Sequence, residues 1–293
     1  LERERGRATA VRARHPRPRN HRRAARPEEP IAEPARGRFL VAHHHVVQER
    51  RSRAGQLQVA GLAAAEPVPL FSATYKVHYG ILHGEMTLEL RHTEGVAYVY
   101  ETSLTPRGVV TLFRRGSIVE TTSLEIEDGV LRPLDYRSTD TIANPTRNTV
   151  YLFDTPPGRV TGTYKERKVD EPLQPNGHNR ISAHVAVMLA MKTGASMTGI
   201  PVFDRARWRD FEFEVFPGQI VKTELGEFET VEIRYSSTKK NKSWSLHCAE
   251  ALDYAPVMII YREEDDVKSK ARLVEYRSLG DPDQAQPQPI SSR

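Results

Sequence analysis

From Phe71 onward, apolar and polar positions alternate with a period of two. In residues 73–79 (ATYKVHY), Ala73, Tyr75, Val77 and Tyr79 fall on one face. In residues 85–91 (EMTLELR), Met86, Leu88 and Leu90 oppose Glu85, Thr87, Glu89 and Arg91. Residues 210–216 (DFEFEVF) put Phe211, Phe213 and Val215 together. Val231, Ile233 and Tyr235, then Trp244, Leu246 and Cys248, then Val257, Ile259 and Tyr261 repeat the pattern. Such alternation predicts half-buried strands with one face in the core and one in water. Turn signals separate the runs: Asp128-Gly129, Pro156-Pro157-Gly158, Pro217-Gly218, Leu225-Gly226 and the charged stretch 239–242. Strands joined at this spacing by such turns read as an antiparallel meander.

Residues 181–191 (ISAHVAVMLAM) break the alternation. Ile181, Val185, Met188 and Leu189 have helical spacing, Ser182 or Asn179 suits the start, and Gly194 suits the end. Because this segment is apolar nearly all round, it predicts a buried helix and not a surface one. One buried helix among many strands predicts a mainly β protein: a strongly curved antiparallel sheet, or incomplete β-barrel, around a central helix at about 181–192. A flat two-layer sandwich is the alternative. Curling would turn Tyr75, Tyr79, Phe211, Phe213 and Trp244 inward. With Met86 and Met188 these are the candidate lining of an interior cavity.

Charge divides the chain. Residues 1–55 hold 15 Arg, no Lys and 6 Glu, a net of +9, whereas the remainder carries 28 basic and 32 acidic groups, a net of −4. The leader 1–65, rich in Arg, Pro and Ala, has too few large apolar residues to offset the entropy of ordering and is expected to be disordered. Nucleic-acid binding by it would rest on phosphate charge alone, with Phe39 its only aromatic residue before position 40, so no specific nucleic acid is expected. Arg to the exclusion of Lys, behind an opening Leu1, is also what a mis-assigned start in a G+C-rich gene would give. Ala63 to Ala65 before Glu66 fit a signal-peptidase site, with Arg50, Arg51 and Arg53 upstream, but Gln56, Gln58 and Gly61 interrupt the apolar stretch; an alanine-rich linker fits equally. Arg22-Arg23 has no apolar segment after it. The expected organisation is a leader over 1–65, one β domain over 66–280 and a disordered tail over 281–293.

No apolar run approaches the ~18 residues of a membrane helix, which argues against an integral membrane protein. The one cysteine, Cys248, cannot form an internal disulfide, so the domain rests on its core.

Candidate chemistry is sparse. Gly194-Ala-Ser-Met-Thr-Gly199 misses G-x-S-x-G by one residue and follows a helix where a nucleophile elbow follows a strand. His247 and Cys248 are strand neighbours and point to opposite faces, Cys248 with Trp244 and Leu246. His78, His83, His92, His178 and His184 lack metal-ligand spacing, and the His43-His44-His45 triplet lies in the leader. Glycines occur without a phosphate-binding pattern. Glu212 with Glu214, and the run 263–266, read as a solvated strand face and a hairpin turn. The expectation is a protein without catalytic residues, metal or cofactor.

Several segments nevertheless form a recognisable series. An opening Ala73-Thr-Tyr-x-Val-x-Tyr-Gly80 is followed by Gly84 and an alternating strand. Ser182 opens the helical HVAVMLAMKTG. Later come Leu225-Gly-Glu-Phe-Glu-Thr-Val231, Trp244, and Ala249-Glu-x-Leu-Asp-Tyr-x-Pro-Val257. In order and spacing, over most of residues 71–280, this resembles the bacterial envelope proteins grouped as DUF3108. The family often has an acidic residue before the helix serine, where this chain has Asn179-Arg180. The resemblance implies export to the periplasm behind a signal peptide, which favours the boundary at Ala65/Glu66. It assigns no catalytic residue. A curved sheet with inward aromatics suits a lipid or other apolar ligand, or an envelope protein partner; a structural module whose interior is filled by the helix is the competing expectation, and an envelope hydrolase the third.

Overall fold

The computed structural model describes residues 68–280, apart from Gly95, 113–114, Thr155, Pro157, Thr198 and 238–240. Expectations for residues 1–65 and 281–293, including the signal-peptidase site and the histidine triplet, lie outside the described residues. The first half of the domain is a run of hairpins: β1 (Phe71–Tyr79), β2 (Leu82–Thr93), β3 (Val96–Arg107), β4 (Ile118–Glu127), β5 (Val130–Pro133), β6 (Asp135–Asp140), β7 (Arg147–Asp154), β8 (Arg159–Tyr164) and β9 (Arg167–Pro172). A short β10 (His178–Asn179) leads into helix α1 (Ser182–Thr193). The small strands β11 (Val202–Phe203) and β12 (Trp208–Arg209) follow. A second run then comprises β13 (Phe211–Thr223), β14 (Gly226–Ser237), β15 (Lys242–Ala249), β16 (Ala255–Glu263) and β17 (Asp266–Ser278).

Both runs belong to one sheet. Its order is β13-β14-β15-β16-β17-β1-β2-β3-β4-β6-β7-β8-β9, with β5 paired to β4 and every pairing antiparallel. Within each run sequence neighbours are sheet neighbours, apart from β5 and β6, which both pair with β4; this is the expected meander with one branch. The runs meet where the first strand pairs with the last, Phe71 opposite Ser278 and Tyr79 opposite Ser269. The sheet curves strongly without closing into a barrel. Strands β10, β11 and β12 form a separate three-stranded sheet.

Burial follows the sequence period. Phe71, Ala73, Tyr75 and Val77 are buried on β1, and Thr149, Tyr151 and Phe153 on β7. The main core joins Tyr75, Tyr100, Tyr151, Phe203 and the helix residues Val185, Met188 and Leu189. Burying each large apolar side chain stabilises the fold by roughly 1.5–3 kcal/mol. Cys248 is fully buried with Val187, Ile233 and Leu246, and burial pushes its thiol up to about 12.

Two glycines are structurally demanded. Gly194 closes α1 in the left-handed region (φ 70°), its N–H donating to Ala190 O. Gly162 (φ 139°) lies opposite Tyr151, where a Cβ would sit 2.0 Å from the carbonyl oxygen of Val150. The helix spans 182–193 against the expected 181–192. One turn expectation is corrected: Pro217-Gly218 does not end a strand but forms a bulge inside β13, where the register with β14 shifts between Phe216 and Gln219. β13 is an edge strand, so Pro217's missing N–H costs no ladder bond on its open side.

Candidate functional site

Neighbouring strands from β13 through β17 and from β1 to β4 all contribute to the wall of a single chamber of about 500 Å³. That is possible only because the sheet wraps around it. Helix α1 supplies the floor through Ala183, His184 and Val187. These share one helical face, while Val185, Met188 and Leu189 on another face pack into the core. The helix therefore does not fill the interior.

The aromatic wall is a cross-strand ladder. Phe213, Tyr235, Trp244 and Tyr261 are successive partners on β13, β14, β15 and β16. Their rings stack in turn, with centroids 5.7, 5.5 and 5.0 Å apart and interplanar angles of 27°, 9° and 28°. Phe211 meets Trp244 edge-on at 6.0 Å. Such pairs contribute about 0.5–1.5 kcal/mol each beyond their burial. Both faces of Tyr235 and of Trp244 are thereby occupied, so these rings present edges to the chamber. The adjoining wall is aliphatic: Val77, Met86, Leu88, Leu104, Ile259 and Ala271.

The remaining side is charged. Glu120, 5% exposed, points inward from β4. It accepts a hydrogen bond from Tyr136 and pairs with Arg180 Nη2 at 3.2 Å. Arg180 keeps 53% of its side chain accessible although protein surrounds it, because that surface faces the chamber. The Glu120 carboxylate raises its pKa, against an opposing effect of burial. Asp204 receives Arg209 Nε at 3.2 Å and Arg205 Nε at 3.8 Å. All five groups line the chamber.

The segment leading into α1 positions this side. Asn179 is fully buried. Its Oδ1 accepts from the N–H groups of Ile181 (3.1 Å) and Ser182 (2.9 Å), and its Nδ2 donates to Thr122 Oγ1 (2.8 Å). Ser182 Oγ returns a bond, accepting from Asn179 N at 2.9 Å. Neither residue anticipated as a cap holds the N-cap position, which is Ile181 without a side-chain bond; Asn179, two residues earlier, and Ser182, the first helical residue, bond each other instead, and Asn179 pins the helix start to β4. Ser182 Oγ lies 3.4 Å from His178 Nδ1, a pairing a hydrolase could use. That hydroxyl is fully buried, bonded to the N–H and carbonyl of Asn179, and outside the chamber wall.

His178 and His184 are held neutral. Burial lowers each to about 4, with the Arg180 charge adding to the effect at His184. His184 Nε2 contacts Tyr235 Oη at 3.2 Å, while Nδ1 is buried without a partner, so protonation would bury an N–H lacking an acceptor. In the unfolded chain both rings take a proton near 6.5. Between that pH and about 4 the unfolded state binds more protons, so stability is complete above 6.5 and falls as pH drops through the window. For His178 alone the loss is on the order of 3 kcal/mol. Denaturant unfolding from pH 7.5 to 4.5, with histidine NMR titration, checks this. Two imidazoles are expected to stay neutral until about 4. If every histidine titrates near 6.5, the buried neutral pair is refuted.

Of the residues singled out from sequence, Tyr79, Met86, Phe211, Phe213 and Trp244 line the chamber, Tyr79 at its exposed rim. Tyr75 and Met188 do not. Tyr75 is fully buried and donates to Pro256 O at 2.6 Å, and Met188 faces the core. The charged side was not anticipated. One signal was available: Glu120 is in phase with Thr122 and Leu124, the inward residues of β4.

Residues 73–272 match a family model described as "Protein of unknown function (DUF3108)". No curated protein matches the chain. Among solved structures, it resembles a β-barrel-like protein of the domain of unknown function DUF1849 from Brucella abortus, at 13% identity and a TM-score of 0.50. That likeness covers 72% of this chain and 98% of the other. It is a likeness of fold. A second similarity, to MucB, has 10% identity and a TM-score of 0.29 over 75% of this chain and 57% of that one, and carries no argument. Among the described residues no helix is long and apolar enough to cross a membrane.

Proposed function

The chain belongs to the DUF3108 family, and from that premise we propose that it is a non-enzymatic protein of the bacterial envelope, exported to the periplasm, whose chamber holds a lipid-like or amphipathic ligand. The chamber carries this reading. Its volume of about 500 Å³ falls within the roughly 300–1,000 Å³ of small-molecule sites. Aliphatic and aromatic side chains make up most of its lining, with five charged groups gathered on one side and Lys242 and Ser269 on the opposite wall. Rings whose faces are already stacked offer no open platform to a sugar or a base, which favours a flexible hydrocarbon. The open interior counts against a purely structural module, and the burial of Ser182, whose hydroxyl is bonded to the backbone of Asn179, counts against a hydrolase.

Native mass spectrometry with lipid extraction, on protein purified from its own envelope, tests the reading directly. A reproducible lipid at one per chain is expected. Material that is always empty, and that fails to take up a neutral apolar probe such as N-phenyl-1-naphthylamine, would sink it. Ala183→Trp, on the floor of the chamber, is expected to weaken that probe by about tenfold or more, because ring atoms then occupy the space where the probe buries its surface. Unchanged far-UV circular dichroism would show that the fold persists. For the export part, mass-spectrometric sequencing of the mature N-terminus should place it near Glu66; a protein retained whole in the cytoplasm would contradict it.

A further inference from the structure

We propose that the charged side of the chamber is a headgroup site, and that the ligand is a single-chain amphiphile with an anionic head. This rests on reading the chamber as a ligand site and names the chemistry the site takes. Three guanidinium groups, Arg180, Arg205 and Arg209, meet two carboxylates, Glu120 and Asp204, on one side of the chamber, while the other cation in its lining, Lys242, is paired with Glu263. The balance there is one positive charge. Asp204 is shared between two arginines, and Arg205 and Arg180 keep 61% and 53% of their side chains accessible. A cation facing a low-dielectric space is best compensated by an anion arriving with the ligand. Planar guanidinium forks match carboxylate and phosphate oxygens with paired N–H donors. A neutral or cationic head would leave the surplus uncompensated.

Volume sets the number of chains. At about 500 Å³ the chamber lies in the range of sites that hold one small molecule. That suits one chain with its head better than a diacyl lipid. Val77, Met86, Leu88 and Leu104 would lie along the chain, with the edges of Trp244 and Tyr261 opposite.

The test uses the full chain at pH 7.5 and four probes of equal chain length: tetradecanoate, tetradecyl phosphate, tetradecanol and tetradecyltrimethylammonium. Displacement of N-phenyl-1-naphthylamine gives each affinity. Tetradecanoate or tetradecyl phosphate is expected to bind about tenfold or more tighter than tetradecanol, the scale of a charge-assisted hydrogen bond. Which anion leads identifies the head as carboxylate or phosphate. The anion-to-alcohol ratio should collapse in Arg205→Gln/Arg209→Gln, which reverses the balance of charge, and persist in Arg180→Gln/Glu120→Gln, which removes a charge pair and leaves the balance unchanged. A ratio near one in the unaltered protein, or a preference for the ammonium probe, would overturn the proposal while leaving the chamber a ligand site. A diacyl anionic lipid bound as tightly as tetradecanoate would overturn the single-chain assignment. Failure of all four probes and of N-phenyl-1-naphthylamine would remove the ligand-site reading itself.

Discussion

Asn179→Ala is expected to destabilise the protein by about 3 kcal/mol or more, a large share of the ~5–15 kcal/mol typical of a folded domain. The side chain is fully buried and serves both ends of a junction. Its Oδ1 satisfies the first N–H groups of α1, which have no partner within the helix. Its Nδ2 reaches Thr122 on β4, itself fully buried. Alanine would leave the N–H groups of Ile181 and Ser182 unpaired away from water, at roughly 1–3 kcal/mol for each that finds no substitute, while Thr122 keeps its bond to Asp135 O. A loss of the helix cap alone would cost only about 1 kcal/mol. Urea unfolding monitored by tryptophan fluorescence separates the two, and a change near or below the cap value would mean that the bond to β4 contributes little. Since α1 is the floor of the chamber, ligand affinity should fall with stability.

The second large effect concerns Glu120. Arg180→Gln is expected to cost about 3 kcal/mol at pH 7, because it leaves a carboxylate stranded in the wall. The low end of the range for such changes applies, since the guanidinium reaches water through the chamber. Arg180→Gln/Glu120→Gln should return to within about 1 kcal/mol of the unaltered protein, as replacing both members of a buried pair commonly does. Equilibrium unfolding of the two single variants and the double one completes the cycle. If Arg180→Gln alone is neutral, Tyr136 suffices for the carboxylate, and the arginine is held in place for some other task.

The strands near 73–91 and 211–261, the helix and its end at Gly194 were legible because each is written in local periodicity and local turn chemistry; the strands between 96 and 172 alternate less cleanly and only some of their turns stood out. Pro217-Gly218 misled because a proline bulge and a proline turn share the same residues; only the position of β13 at an open edge distinguishes them. The pairing of β1 with β17 was not legible, since nothing local in either strand names its partner. The aromatic side of the chamber was partly legible, as Phe211, Phe213 and Trp244 recur in the inward phase. Tyr75 shares that phase but lies deeper along β1 than Val77 and Tyr79, at the level of the core, and strand phase carries no information on depth. Met188 fits a helix apolar nearly all round, where composition does not reveal which face meets the chamber. The charged side escaped because Arg180, Arg205 and Arg209 stand in a non-repeating connection, where no period marks the inward direction.

The junction of β1 with β17 also orders events in time. Until Ser278 has left the ribosome, Phe71 to Tyr79 have no partner along one edge, and a chamber that needs strands from both runs has no second wall. Domains made from early, local pairings acquire structure during synthesis; this one cannot complete its fold until β17 has been made. A nascent chain of this design stays threadable for longer than a string of independent hairpins would. It also carries a bare strand edge that invites pairing with other chains, so it should call on a chaperone until its last strand arrives.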